Sequence, residues 1–286
     1  MLAHTAPHAD VDGTLIHSVG DQSNKIHKTA FAAAFRDVFD IDTHIDIVPH
    51  HGSTDPLILI KVLEVSGVPS DKARAQLPAL KQAMLAHFEA NRGNAGNGLQ
   101  LLPGVLQLMQ TLKVFKMEYQ NHACVHTRTQ TGNGWRCHLP RHGQLGGHWV
   151  GQNAGTGLVR SVYWCVVRKV LHVQSIIVHV TAPAFGGFGS DHCSGNTEES
   201  WRDRAELVRI AAHKASAAGY DVTAHYHVGD TPQDILAAEE GGAIAVGVLT
   251  GVFDKESLMR VSNKPSTVVL EGLHCLKEFL ATVGLS

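Results

Sequence analysis

The tightest constraint on the fold lies in the last third of the chain, where helical and extended periods alternate. Asp203 to Ala218 carries apolar residues at helical spacing, and Gly219 suits the left-handed turn that ends many helices. Ala224 to Val228 reads as a strand, a polar loop follows, and Pro232 to Glu240 reads as a helix closed by Gly241. Ala243 to Val248 is short and apolar throughout, as a strand buried on both faces must be. Thr267 to Leu270 and Leu273 to Thr282 add a last strand and helix. Strands separated by helices cannot pair as hairpins, so the pattern predicts an α/β fold, a mostly parallel sheet with helices on both faces.

Upstream the period changes. Between Asp21 and Asn97 the apolar residues recur at helical spacing: Ile26, Ala30, Phe31, Ala34, Phe35, Val38 and Phe39 in one group, Leu77, Leu80, Met84, Leu85 and Phe88 in another. Leu57 to Val65 reads as a further helix, with Pro56 at its start and Gly67 beyond its end. Gly93 to Gly98 reads as a linker. The expected organisation is a helical unit over 21–97, inserted into an α/β unit made of 1–20 and 98–286.

One stretch fits neither pattern. From Tyr119 to Ser190 there is no Asp or Glu, although the chain has 26 of them, and glycines interrupt every period. Residues 114–180 therefore read as a non-native or disordered insert. The stretch is rich in His and Cys, but Cys124, His126, Cys137, His138 and His142 lack the paired short spacing of a structural zinc site, and zinc is not expected.

Composition excludes several classes of function. The formal net charge of −2 offers no basic field for nucleic acid. The most apolar long run, Ser161 to Val180, contains Arg168, Lys169 and His172 and cannot span a membrane. Five cysteines at irregular spacing do not make a disulfide framework, and Met1 to Ala9 lacks the features of a signal peptide. A cytoplasmic protein with no membrane or nucleic-acid partner is expected.

Two acidic loops carry the chemistry. Asp10 and Asp12, two apart on an extended segment, point the same way, and Gly13 lets the chain turn behind them. Ionised, the first can act as a nucleophile, and the second is placed as an acid and base; an ordinary Asp-Gly turn has the same letters. The second loop, Val228-Gly229-Asp230-Thr231-Pro232-Gln233-Asp234, joins a strand to a helix. Its carboxylates are hard oxygen donors suited to Mg²⁺, although Asp234 can equally serve only as a helix-start acid.

Together the loops resemble the haloacid-dehalogenase (HAD)-like hydrolases, Asp10 to Leu15 being similar to the first motif of that superfamily and Gly229 to Asp234 to the fourth. The likeness continues through Leu102-Pro103-Gly104-Val105. Phe185 to Asp191, followed by Asp203 to Val208, is similar to the phosphoglycolate-phosphatase-like branch. The resemblance implies a Rossmann-like sheet with a helical cap after the first strand, and Mg²⁺-dependent hydrolysis of a small phosphorylated metabolite through an aspartyl-phosphate. It also implies roles: Asp10 as nucleophile, Asp12 as acid/base, and Mg²⁺ on Asp10, the Asp12 carbonyl and Asp230, supported by Asp234. Arg204 is the expected phosphoryl-neutralising cation, with Arg202 as second choice. The cap loop His50 to Asp55 resembles a segment where substrate-selecting groups lie; it also reads simply as a cap and Pro start for the next helix. A sugar-phosphate mutase and an inactive protein of the same fold remain as alternatives.

Two departures stand out. The second motif should end a buried strand in Thr or Ser; Thr131 is the candidate, with Thr181 behind it, and the residues before Thr131 do not make such a strand. The first strand also looks damaged, because Pro7 removes an amide donor from what should be a central strand.

Overall fold

The computed structural model describes residues 5–20, 24–94, 96–112, 128–131, 134–137, 186–217, 222 and 224–285. Strand β1 (Thr5–Ala9) opens the chain and β2 (Ile16–Ser18) follows. Helices α1 (Lys25–Phe39), α2 (Asp55–Val65), α3 (Ser70–Ala75) and α4 (Leu77–Ala90) come next. β3 (Leu99–Leu101) leads into α5, described over 105–112, and then β4 (Arg128–Thr131) and β5 (Gly134–Cys137). The remainder is α6 (Ser200–Ala217), β6 (Ala224–Gly229), α7 (Pro232–Glu240), β7 (Ile244–Val248), α8 (Lys255–Arg260), β8 (Val268–Leu270) and α9 (Leu276–Thr282).

Among the described residues β1, β6, β7 and β8 form one parallel sheet in the order β1-β6-β7-β8. Its two faces are read directly from side-chain alternation. On β6 and β7, Tyr226, Val228, Val246 and Val248 join a core with Val105 and Leu108 of α5 and Phe279 of α9. Ala245 faces the other way and packs with Val208 of α6, Ile235 and Ala238 of α7 and Leu258 of α8. The expected α/β sheet with helices on both faces is what the chain adopts.

The first strand corrects the expectation of damage. Thr5–Ala9 pairs with β6 in register, Pro7 opposite Tyr226. The Asp10 amide donates to the Val228 carbonyl at 2.8 Å, so by alternation His8 also addresses β6 and Pro7 turns its missing donor away from it. β1 is the edge strand of the described sheet, where a proline whose nitrogen faces outward removes no ladder bond.

The stretch between β2 and β3 is helical, as expected. Phe31 and Phe35 of α1, Leu59, Ile60 and Leu63 of α2 and Leu80 of α4 are completely buried in one cluster. Each such side chain contributes about 1.5–3 kcal/mol of transfer free energy. β2 and β3 pair antiparallel, Ile16 opposite Leu101, and close the two connections to this layer. That small two-stranded sheet was not legible beforehand, nor were the short helices α3 and α8.

Contacts between the helical layer and the sheet domain set the site's roof. A side chain at Gly52 would meet Thr231 Oγ1 and Gln233 Cβ at 2.9 Å, so the loop before α2 sits directly on the loop after β6. Arg74 donates to the Ser194 carbonyl at 2.6 Å, and Thr197 donates to Glu64 at 3.2 Å.

β4 and β5 pair only with each other, Thr131 opposite Gly134, in a separate two-stranded antiparallel sheet. The rest of 114–180 lies outside the described residues. So do Thr181, Gly219, and Cys124, His126, His138 and His142 among the weighed zinc ligands. Among the described residues no helix is long and apolar enough to cross a membrane.

Candidate active site

Asp10 follows the carboxyl end of β1 and Asp230 the carboxyl end of β6, adjacent parallel strands, so the sheet itself brings the two acidic loops together. Open α/β sheets bind ligands at this end. Asp234 joins them from the first turn of α7. Carboxylate oxygens of Asp10, Asp230 and Asp234 all lie within 4.8 Å of one another.

The α7 start is a reciprocal capping box. Thr231 Oγ1 accepts from the Asp234 amide at 3.3 Å, and Asp234 Oδ2 accepts from the Thr231 amide at 3.0 Å and its hydroxyl at 2.7 Å. Asp234 therefore does serve as a helix-start acid. Its other oxygen, Oδ1, is shared by Arg204 and by His227 Nε2, the latter at 3.3 Å. Arg204, on the first turns of α6, also reaches Asp10 Oδ1 at 3.2 Å. Arg202 does not approach the cluster: it is exposed, pairs with Glu199 at 3.2 Å and lies over the Trp201 ring. Lys214 steadies the approach to α6, bonding Asp191 and the Gly186 carbonyl at 2.8 Å each.

Gly13 is indispensable to this geometry. Its φ of 77° is left-handed, and a Cβ there would lie 2.4 Å from Asp230 Oδ2. Its carbonyl accepts from Thr250 Oγ1 at 2.5 Å, and the neighbouring Thr14, fully buried, donates to Asp230 Oδ1 at 3.2 Å. Asp12 stands at the exposed side of the same turn. Above it, His27 of α1 lies 3.4 Å from Asp55; burial lowers the pKa of that ring, but Asp55 and Asp12 outweigh it and raise it.

The electrostatics of the cluster are one-sided. Burial pushes Asp230 up to about 7, with the Asp234 and Asp10 charges adding to it. Burial also raises Asp10, against the pull of Arg204. For Asp234 burial is outweighed by Arg204, His227 and Thr231, which hold its carboxyl well below the usual carboxylate range. Burial lowers the Arg204 pKa, but Asp234 and Asp10 overcome it and keep the guanidinium charged. Three acids thus face one arginine. A divalent cation would correct that excess, and the hard carboxylate oxygens of the three acids suit one.

Asp10, Asp230, Asp234 and Arg204 are thus brought together, with Asp12 on the adjoining turn. Thr131 ends the separate β4–β5 hairpin and is not joined to the site by the sheet. Hydroxyls at the cluster come instead from Thr14, Thr231 and Thr250. Thr250 follows β7 at the same end of the sheet, a position that the sheet rule alone could have flagged. His227 was read only as part of a strand.

Comparison with known proteins agrees with this architecture. The family model described as HAD-hydrolase-like matches residues 204–275. Among solved structures, a hydrolase from Pseudomonas syringae superposes with a TM-score of 0.52 at 19% identity, covering 97% of this chain and 98% of that one. A predicted phosphatase from Clostridium acetobutylicum gives 0.50 at 13% identity, covering 98% and 100%. No curated protein sequence matches the chain. Residues 204–275 match the HAD-like hydrolase family model, and the chain shares the fold of these solved structures.

Proposed function

We propose that the protein hydrolyses a small phosphomonoester, of the phosphoglycolate or sugar-phosphate kind, through an aspartyl-phosphate on Asp10 and with Mg²⁺ as cofactor. The observation that carries this reading is the convergence of Asp10, Asp230, Asp234 and Arg204 at the carboxyl ends of two adjacent parallel strands.

An Asp10 oxygen attacks phosphorus, the ester P–O bond breaks, and the Asp12 carboxyl gives its proton to the leaving alkoxide. Asp12 then takes a proton from water, whose oxygen attacks the phosphoryl group and releases phosphate and the Asp10 carboxylate. Arg204 neutralises charge on the equatorial oxygens. Held by Asp10, Asp230, Asp234 and the Asp12 carbonyl, Mg²⁺ would cancel the repulsion between these acids and a dianionic substrate. The helical layer over 21–97 acts as a cap, with the His50–Asp55 loop facing the substrate.

The test is release of 4-nitrophenol from its phosphate ester by the full chain. Activity that needs Mg²⁺, stops in excess chelator and disappears in Asp10→Asn is the expected result; turnover undiminished by chelator refutes the assignment. A second reading, a HAD-fold protein with impaired catalysis, is favoured by the position of Thr131 in a separate hairpin. It predicts metal binding without turnover.

A further inference from the structure

The two oxygens of Asp234 are held by different groups. Oδ2 takes both donors of Thr231, the amide at 3.0 Å and the hydroxyl at 2.7 Å. Oδ1 has only Arg204 and His227 among the described residues. Arg204 serves two acids through the same terminal nitrogen, reaching Asp10 Oδ1 at 3.2 Å as well as Asp234. A phosphoryl group on Asp10 would compete with Asp234 for that nitrogen, and whenever it wins, Arg204 gives up part of its hold on Asp234. At that moment Oδ1 would be a buried anionic oxygen with a single remaining donor. An ionised carboxylate only accepts, so the His227 nitrogen facing it carries the hydrogen. The other ring nitrogen, Nδ1, is buried and has no partner among the described residues.

We propose that His227 is a positioning residue: its Nε2–H holds Asp234 Oδ1, keeping that carboxylate in place in the metal shell while Arg204 turns from Asp234 to the phosphoryl group. The inference rests on the proposed roles of Asp234 and Arg204. His227 is well placed for the task, since it sits on β6, two residues before the end of the strand that carries Asp230, and is 9% exposed. A ring fixed in a sheet has little freedom to follow Arg204 when it moves. Partners that orient a metal-binding group in this way typically change metal affinity 10–100-fold when removed.

The test compares His227→Leu with His227→Gln in the full chain. Mn²⁺ alone, titrated by electron paramagnetic resonance, serves as the probe, and kcat and KM on 4-nitrophenyl phosphate form a second readout. His227→Leu is expected to bind Mn²⁺ about tenfold more weakly. Its kcat should fall by about the same factor while KM stays within about twofold, because Arg204 is then the sole anchor of Oδ1. His227→Gln, with an amide donor of similar reach, should recover most of the Mn²⁺ affinity. Wild-type affinity in His227→Leu overturns the proposal, and so does equal weakening in both variants, which would mean that only the shape of the ring matters. Should His227→Leu fail to fold, His227→Asn, too short to reach Asp234, takes its place in the comparison. The Mn²⁺ titration reads His227 independently of turnover: a chain that binds Mn²⁺ but hydrolyses no phosphomonoester sinks the proposed function alone.

Discussion

His225→Val should make the fold less sensitive to acid, and the size of the effect follows from one buried ring. His225 lies on β6 with its ring centroid 4.5 Å from that of His8, edge to face, and its Nε2 is buried without a partner among the described residues. Burial, with His227 adding to it, lowers its pKa from 6.5 to about 4. The unfolded chain therefore binds a proton below pH 6.5 that the folded ring refuses, so stability present at neutral pH is lost as pH falls through the unfolded value. By pH 5 the deficit is about 1.5 pH units, or about 2 kcal/mol. The ring is only partly buried, and screening by water reduces this to about 1–1.5 kcal/mol. Against a typical domain stability of about 5–15 kcal/mol that is a measurable share. The assay is urea unfolding followed by far-ultraviolet circular dichroism at pH 7.5 and pH 5. The wild type should lose at least about 1 kcal/mol more between these values than His225→Val. At neutral pH the variant should be no less stable, because it removes a buried nitrogen without a partner. Identical pH dependence in the two proteins would refute the argument that this ring is held neutral.

Gly13→Ala should abolish the site's geometry: its Cβ would lie 2.4 Å from the Asp230 carboxylate at a left-handed φ, so activity and Mn²⁺ binding should both fall at least tenfold in a chain that still unfolds cooperatively. Phe35→Ala, at a fully buried position in the helical layer, should cost about 3–5 kcal/mol in urea unfolding; a cost below about 1 kcal/mol would mean that this layer does not unfold with the rest. Glu239 accepts from Ser262, Thr267 and the Asn263 amide; its burial is outweighed by these bonds, which depress its pKa. Its contribution is therefore present above the unfolded value and lost as pH falls below it. Glu239→Ala should lower stability at pH 7 but change little at pH 3, by the same unfolding assay.

The two acidic loops and the elements from Asp203 onward were legible in the sequence because each is a local pattern. A helical period, a capping Thr231 with Asp234 three residues later, and an apolar run of strand length are fixed by neighbours in the chain. Pairing Asp10 with Asp230, 220 positions away, was legible only through the family resemblance, and the register of β1 on β6 is what brings them into reach. Pro7 looked like damage because the sequence does not say which strand lies at an edge. Only the sheet order shows that, among the described residues, its missing donor faces no partner strand. The hydroxyls of Thr14 and Thr250 and the ring of His227 carry no local signal either. Their roles come from which oxygen each meets across the sheet ends, and that depends on turns and registers summed over the whole fold. The sequence by itself determined the fold class, the helical insertion and the acidic residues available for chemistry. The tertiary structure decided which of them meet, that Arg204 rather than Arg202 faces them, and that Thr131 belongs to a separate hairpin. Long-range pairing is a property of packing and register, which no short stretch of chain encodes alone.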